Sequence, residues 1–304
     1  MGNYLNPGST MFQGSLRSQI YIDKSNLIKQ MNALLYTEQR YVCVSRPRRF
    51  GKSMAANMLA AYYDKEADTR NLFSGLKISR DVSFDENINK YDVIRINMQE
   101  FLSATQNMEE MLKLLQKRIL ADLKNKYPEY VTEENLVFAM QDVFSRTKSS
   151  FIILIDEWDC LFREYEQDQE SQKKYLDFLR FWLKDKDYIA LAYMTGILPI
   201  KKYGSHSALN MFMEYSMIDP GNLAEFFGFT EKEVKELCVE YAMSFEEVKA
   251  WYDGYRLVSH SRFGNEVYSI YNPKSVVEAM LRHKFGTYWN QTETYEALKI
   301  YIQM

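Results

Sequence analysis

The chain has 304 residues, 38 basic against 41 acidic, for a formal net charge of −3. That length buries a full α/β core and leaves room for a smaller second unit, while near-neutrality excludes a global electrostatic grip on nucleic acid and leaves only local basic patches. Cys43, Cys160 and Cys238 lie far apart without a C-x-x-C pair, which excludes the usual zinc and redox spacings and reads as small buried apolar groups in a reducing compartment.

The amino terminus, MGNYLNPGSTMF, has no basic segment followed by an apolar run. It carries Asn6 where a myristoylation signal needs Ser or Thr, and nowhere do 18 consecutive apolar residues occur. A cytoplasmic protein with no membrane partner is expected. The first strand is predicted at 41–45, YVCVS, and an alanine-rich helix, KSMAANMLAAYYD, follows a short loop. Further apolar runs come at 91–98, YDVIRINM, at 151–157, FIILIDE, and at 188–196, YIALAYMTG. Between them, Met108, Met111, Leu112, Leu115, Ile119 and Leu123 keep helical spacing within 107–126, and ESQKKYLDFLRFWLKD is a third helix. Repeated strand-then-helix units, with strands that look buried on both faces, predict a mostly parallel sheet covered by helices.

After about residue 220 the texture changes. TEKEVKELCVEYA and SFEEVKAWY both open on a capping box, Thr230 with Glu233 and Ser244 with Glu247. DGYRLVSHSRFGNEVYSIYNP alternates like a β-ribbon, and Asn272 with Pro273 then starts another helix. The expected division is 1–219 for the α/β domain and 220–304 for a small helical, winged-helix-like subdomain.

Residues 45–53, SRPRRFGKS, admit two readings. A phosphate-binding loop needs a strand, a turn that points successive backbone N–H groups inward, a lysine for the β and γ phosphates, and a hydroxyl for Mg²⁺ at a helix start. The strand, Gly51, Lys52, Ser53 and the following helix satisfy that order, but position 46, where the usual pattern has glycine, holds arginine. Pro47 offers a substitute, since it fixes its own φ and pushes Arg46 toward an extended conformation. The cradle then falls to residues 48–53, with Arg48 and Arg49 adding charge. The competing reading is a solvated basic turn.

A second signal decides between them. In FIILIDEWD five apolar residues end in adjacent carboxylates, Asp156 and Glu157, at the carboxyl end of a predicted central strand, where ligands of open α/β sheets collect. In an ATPase the first carboxylate holds the Mg²⁺ shell and the second orients the attacking water. Thr195, closing the strand at 188–196, either senses the γ-phosphate beside those carboxylates or is a β-branched residue before a glycine turn. The three histidines, His206, His260 and His283, share no ligand spacing. Lys201 and Lys202 read as a solvated face. Trp158, Trp182, Trp251 and Trp289 read as packing residues, with Trp158 also able to line a nucleotide site. Arg163 and Arg180 are both open as arginine fingers.

In this order, SRPRRFGKSM, LIDEWD, MTGILPIKKYG, WYDGY and YNPKSV, together with YIDKSNLI ahead of the first strand, resemble the AAA-ATPase-like family over nearly the whole chain. The resemblance implies a P-loop NTPase domain of the class with an extra strand between the phosphate-loop strand and the Walker B strand, followed by a small helical domain. It implies ATP and Mg²⁺ as ligands, with Lys52 and Ser53 at the nucleotide and Mg²⁺ positions, Asp156 as the Walker B aspartate that also ligates the metal, and Glu157 as the catalytic glutamate. The loop reading adds Arg48, Arg49, Phe50, Gly51 and Met54 at the nucleotide, and Thr195 joins Glu157 and Lys52 as a catalytic candidate. A homo-oligomer, a nucleic acid or a nuclease partner fits that family, whose members often continue into a PD-(D/E)xK nuclease-like domain. The chain ends at LKIYIQM without one, which leaves a short member and an amino-terminal piece as open alternatives. The activity reads as Mg²⁺-dependent ATP hydrolysis, or as a nucleotide-loaded switch that regulates a partner with little turnover.

Overall fold

A computed structural model describes residues 2–200, 209–261 and 264–288. Five strands form the main sheet: β1 (Tyr41–Ser45), β2 (Asp92–Asn97), β3 (Phe151–Asp156), β4 (Ile189–Gly196) and β5 (Met213–Tyr215). Their order is β2-β3-β4-β1-β5, and every pairing is parallel. The predicted α/β class holds, as does the extra strand: β4 separates the strand leading into SRPRRFGKS from the strand ending in Asp156. The three-residue β5 is too short for its apolar pattern to stand out in the sequence.

The strands β1, β3 and β4 are buried along their whole length because both faces of the sheet are covered. Alternate residues of β3 point to opposite layers. Ile153 and Ile155 pack with the helices Met108–Lys126, Leu136–Thr147 and Gln169–Leu183, whereas Ile152 and Leu154 pack with the helix Lys52–Tyr63 and the segment around Leu27 and Met31. The alanines of Lys52–Tyr63 let that helix lie close against the sheet, and ten of its twelve residues are buried. Truncating one such Ile or Leu to Ala would cost about 2–5 kcal/mol. All three cysteines are buried and free, as their spacing predicts.

At the amino end of β2, Asp92 is fully buried within a closed polar network. Its carboxylate meets Lys65 at 2.6 Å and Lys126 at 2.7 Å, and accepts from Asn6 at 2.9 Å and Ser149 at 2.8 Å. Burial alone would push this carboxyl up; the bonds from Lys126, Lys65 and Tyr127 instead hold it down at about 2.

A second, antiparallel sheet follows, in the order β6 (Phe229–Thr230), β8 (Gly264–Tyr271), β7 (Asp253–Ser261). Helices Glu231–Glu240, Phe245–Tyr252 and Pro273–Arg282 pack Val234, Leu237, Val248, Val276 and Met280 into a separate apolar cluster. Thr230 and Glu233 close the full capping box, and Ser244 makes its forward arm, accepting from the Glu247 amide at 3.4 Å. Asn272 caps the helix Pro273–Arg282, with Pro273 in its first turn. Lys201, Lys202, His206, Trp289 and the carboxyl-terminal part of the expected subdomain lie outside the described residues.

Candidate functional site

The loop between β1 and its helix turns left-handed at Arg49 and Gly51, with φ of 70° and 88°. Position 46 needs no such freedom, which removes the objection raised by the missing glycine. Arg46 instead builds the loop from beneath. Its side chain is fully buried, donates to the carbonyls of Ser45 at 2.9 Å and Tyr215 at 2.7 Å, and lies 5.5 Å over the Phe227 ring. Its amide donates to Gly196 O at 3.1 Å, tying the loop to β4. Phe50 is buried as well. Its ring packs edge-on against Tyr255, 5.1 Å between centroids, and its carbonyl accepts from Gly228 N at 3.1 Å, so the loop leans on the second sheet.

Lys52 opens the helix at the loop's end and is 5% exposed. Its ammonium donates to the carbonyls of Arg46 at 2.8 Å and Pro47 at 3.0 Å, spanning the loop. Burial lowers its pKa, opposed by the charges of Glu157, Asp159 and Asp156. Lys52 and Glu157 line one cavity, which brings the lysine and the acidic end of β3 together across the intervening β4. Ser53 and Met54, one residue further on, are exposed at the start of the helix, where backbone N–H groups and the helix dipole favour an anion.

The two oxygens of Asp156 have different surroundings. Oδ1 accepts from the Thr195 hydroxyl and from the Glu157 amide at 3.1 Å. Oδ2 is buried, accepts no hydrogen bond among the described residues, and has the Arg95 guanidinium 3.9 Å away. One oxygen is thus fixed and the other is left with unused acceptor capacity, an arrangement that suits a hard cation. Ser53 Oγ, exposed at the helix start, is a second hard oxygen donor. Thr195 is fully buried and orients Asp156.

Glu157 sits at φ 54°, a left-handed conformation costly for a residue with a Cβ. Burial pushes its carboxyl up, while Arg163 and Lys52 pull it back. Arg163 forms an ion pair with Glu157 Oε2, and its Nε lies 3.5 Å from Asp159 Oδ2. Trp158 is fully buried against Phe162 and serves packing. Arg180 is exposed on the helix Gln169–Leu183, whereas Arg163 reaches the site.

A cavity of about 580 Å³, within the range that suits a small-molecule ligand, is lined by the loop from Arg48 to Ser53 together with Met54 and Glu157. Its far walls are mostly apolar, with Ser15, Lys24 and Lys274 as polar members. Phe12, Ile20, Tyr21 and Ile22 come from the amino-terminal segment, Met58 from the helix, Phe229 from β6, and Pro273 and Val277 from the helix Pro273–Arg282. Sequence reasoning missed these walls and the Arg163–Glu157 pair, because neither follows from local spacing. The only local clue was the four-residue step from Asp159 to Arg163. Among the described residues no cluster of three or more His, Cys, Asp or Glu could hold a metal by protein side chains alone, and no helix is long and apolar enough to cross a membrane.

A family model described as Predicted AAA-ATPase matches residues 12–205, more than half of the chain. An uncharacterized protein in the vnfD 5′ region of Azotobacter chroococcum mcd 1 is 24% identical over 295 residues, covering 90% of this chain and 51% of that protein. The chain therefore spans about half the length of this curated relative. The solved structure of C. elegans PCH-2 aligns over 79% of this chain and 52% of its own, with 12% identity and a TM-score of 0.35.

Proposed function

Because this chain belongs to the Predicted AAA-ATPase family, we propose that the cavity between the loop and the second unit binds ATP with Mg²⁺, and that Glu157 supports its hydrolysis. The observation that carries this reading is the convergence, from two segments far apart in the chain, of a buried lysine at a helix start and the end of β3, where a buried carboxylate with one oxygen free of hydrogen bonds among the described residues is followed by a second carboxylate on the lysine's cavity.

The triphosphate lies along residues 48–53, where the positive end of the helix Lys52–Tyr63 opposes its charge. Lys52 exchanges its bonds to the Arg46 and Pro47 carbonyls for the β and γ phosphates. Arg48 and Arg49, both on the cavity wall, add positive charge. Phe12, Tyr21 and Met58 give the base an apolar surface. Ser53 Oγ and Asp156 Oδ2 would hold Mg²⁺, whose bound charge neutralises that developing on the phosphates. Thr195 keeps Asp156 in register for that task. Glu157 orients a water whose oxygen bonds to the terminal phosphorus as the bond to the ADP oxygen breaks, and takes up the water's proton.

The test is phosphate release from ATP by the purified chain with Mg²⁺, alongside the variant Glu157→Gln. The wild type is expected to turn over. The variant should keep its nucleotide affinity within a few-fold and lose about 100-fold or more in turnover. Nucleotide binding with no release by the wild type would favour the switch reading, and unchanged turnover in the variant would remove Glu157 from its role.

A further inference from the structure

We propose that Arg163 is a positioning residue that holds the Glu157 carboxylate in the orientation needed to direct water at the terminal phosphate. The inference rests on the reading of Glu157 given above. Three observations carry it.

First, Arg163 bridges two carboxylates. Its guanidinium engages Glu157 Oε2 and lies 3.5 Å from Asp159 Oδ2. A planar fork with several donors suits this task; a lysine ammonium offers a single charged point. Second, the anchor is rigid. Asp159 is fully buried, and its Oδ2 accepts from the amides of Ile197 at 2.9 Å and Leu198 at 2.7 Å, the residues that follow β4. Arg163 itself stands on the short helix Cys160–Glu164, whose Cys160, Leu161 and Phe162 are buried. The guanidinium is therefore braced from below by the end of the sheet. Third, the described hydrogen bonds to the Glu157 side chain involve Oε2, which leaves Oε1 for the water. A glutamate on a left-handed backbone with a cationic neighbour in Lys52 has other rotamers within reach. The brace selects one of them.

The experiment uses the full chain. Arg163→Ala is expected to lower kcat about 10- to 100-fold while the Kd for ATP changes less than about threefold. Arg163→Lys, which keeps the charge without the fork, should recover part of the loss. The double variant Glu157→Gln with Arg163→Ala should fall no further than Glu157→Gln alone, because both changes remove one unit of function. A purely structural role would instead make the two losses multiply and lower the melting temperature. If Arg163→Ala does not fold, Arg163→Gln, which keeps most of the side-chain volume, takes its place in the same cycle. Unchanged or raised kcat on loss of Arg163, or multiplying losses in the double variant, overturns the proposal. If Glu157→Gln itself leaves turnover intact, the reading of the site has failed; if it abolishes turnover while Arg163→Ala does not, only the present inference has.

Discussion

Asp92 and Asp156 are both buried carboxylates on neighbouring parallel strands, one at the amino end of β2 and the other at the carboxyl end of β3. Asp92 is saturated: two lysine ammonium groups, two hydroxyls and an amide converge on it. Asp156 keeps one oxygen pinned and one that accepts no hydrogen bond among the described residues and has the Arg95 guanidinium 3.9 Å away, and its neighbour Glu157 sits on a strained backbone. A protein that only needed to seal a strand end would complete both sites, since a buried acceptor left without a donor costs about 1–3 kcal/mol. The asymmetry separates a carboxylate that holds the fold from one available to a ligand, and it agrees with the tendency of parallel sheets to bind at their carboxyl edge.

The largest effect that would break this contrast is at Asp92. Replacing it with alanine removes the carboxylate that Lys65 and Lys126 share in a partly buried network and is expected to cost about 3–5 kcal/mol in urea unfolding, with nucleotide affinity unchanged in what remains folded. The same carboxyl sets an acid dependence. Its folded pKa, about 2, lies below the roughly 3.9 of an unfolded aspartate, so the network contributes roughly 2 kcal/mol above pH 4. That contribution fades as pH falls from 4 toward 2, and the alanine variant should lack this part of the acid sensitivity.

Asp156→Asn is the counterpart. The amide oxygen still accepts from Thr195 and the Glu157 amide, so stability should move by less than about 1 kcal/mol while Mg²⁺-dependent turnover falls about 100-fold. Melting curves and phosphate release measured side by side check both halves. A large loss of stability here would erase the distinction between the two ends.

Arg46→Gly sharpens the comparison from within the site, because it restores the residue that phosphate loops usually carry. It is expected to destabilise the protein by about 2 kcal/mol, through the lost bonds to Ser45 and Tyr215 and the contact with Phe227, and to weaken nucleotide binding only a few-fold. Equal melting temperatures would show that the buried guanidinium contributes nothing.

Much of the molecule was legible in advance. β1, β3 and β4 are almost wholly apolar runs and β2 carries an apolar set interrupted by Asp92 and Arg95, all long enough to be strands and too short to be helices, and the parallel class follows from the helices between them. Lys52, Ser53, Asp156 and Glu157 were readable as candidates because glycine, lysine, hydroxyl and paired carboxylates fall at the ends of those runs, where the chain must leave the sheet. What the linear order withheld was adjacency. That Thr195 spends its hydroxyl on Asp156, that Arg46 lies beneath the loop instead of weakening it, and that Arg163 reaches back to Glu157 are contacts between separate segments. The cavity's apolar walls join residues 12–22 to residues 273–277 across most of the chain. Periodicity and end chemistry are local properties, written residue by residue. Which ends meet is set by how the layers pack to bury their apolar faces, and that decision belongs to the whole fold.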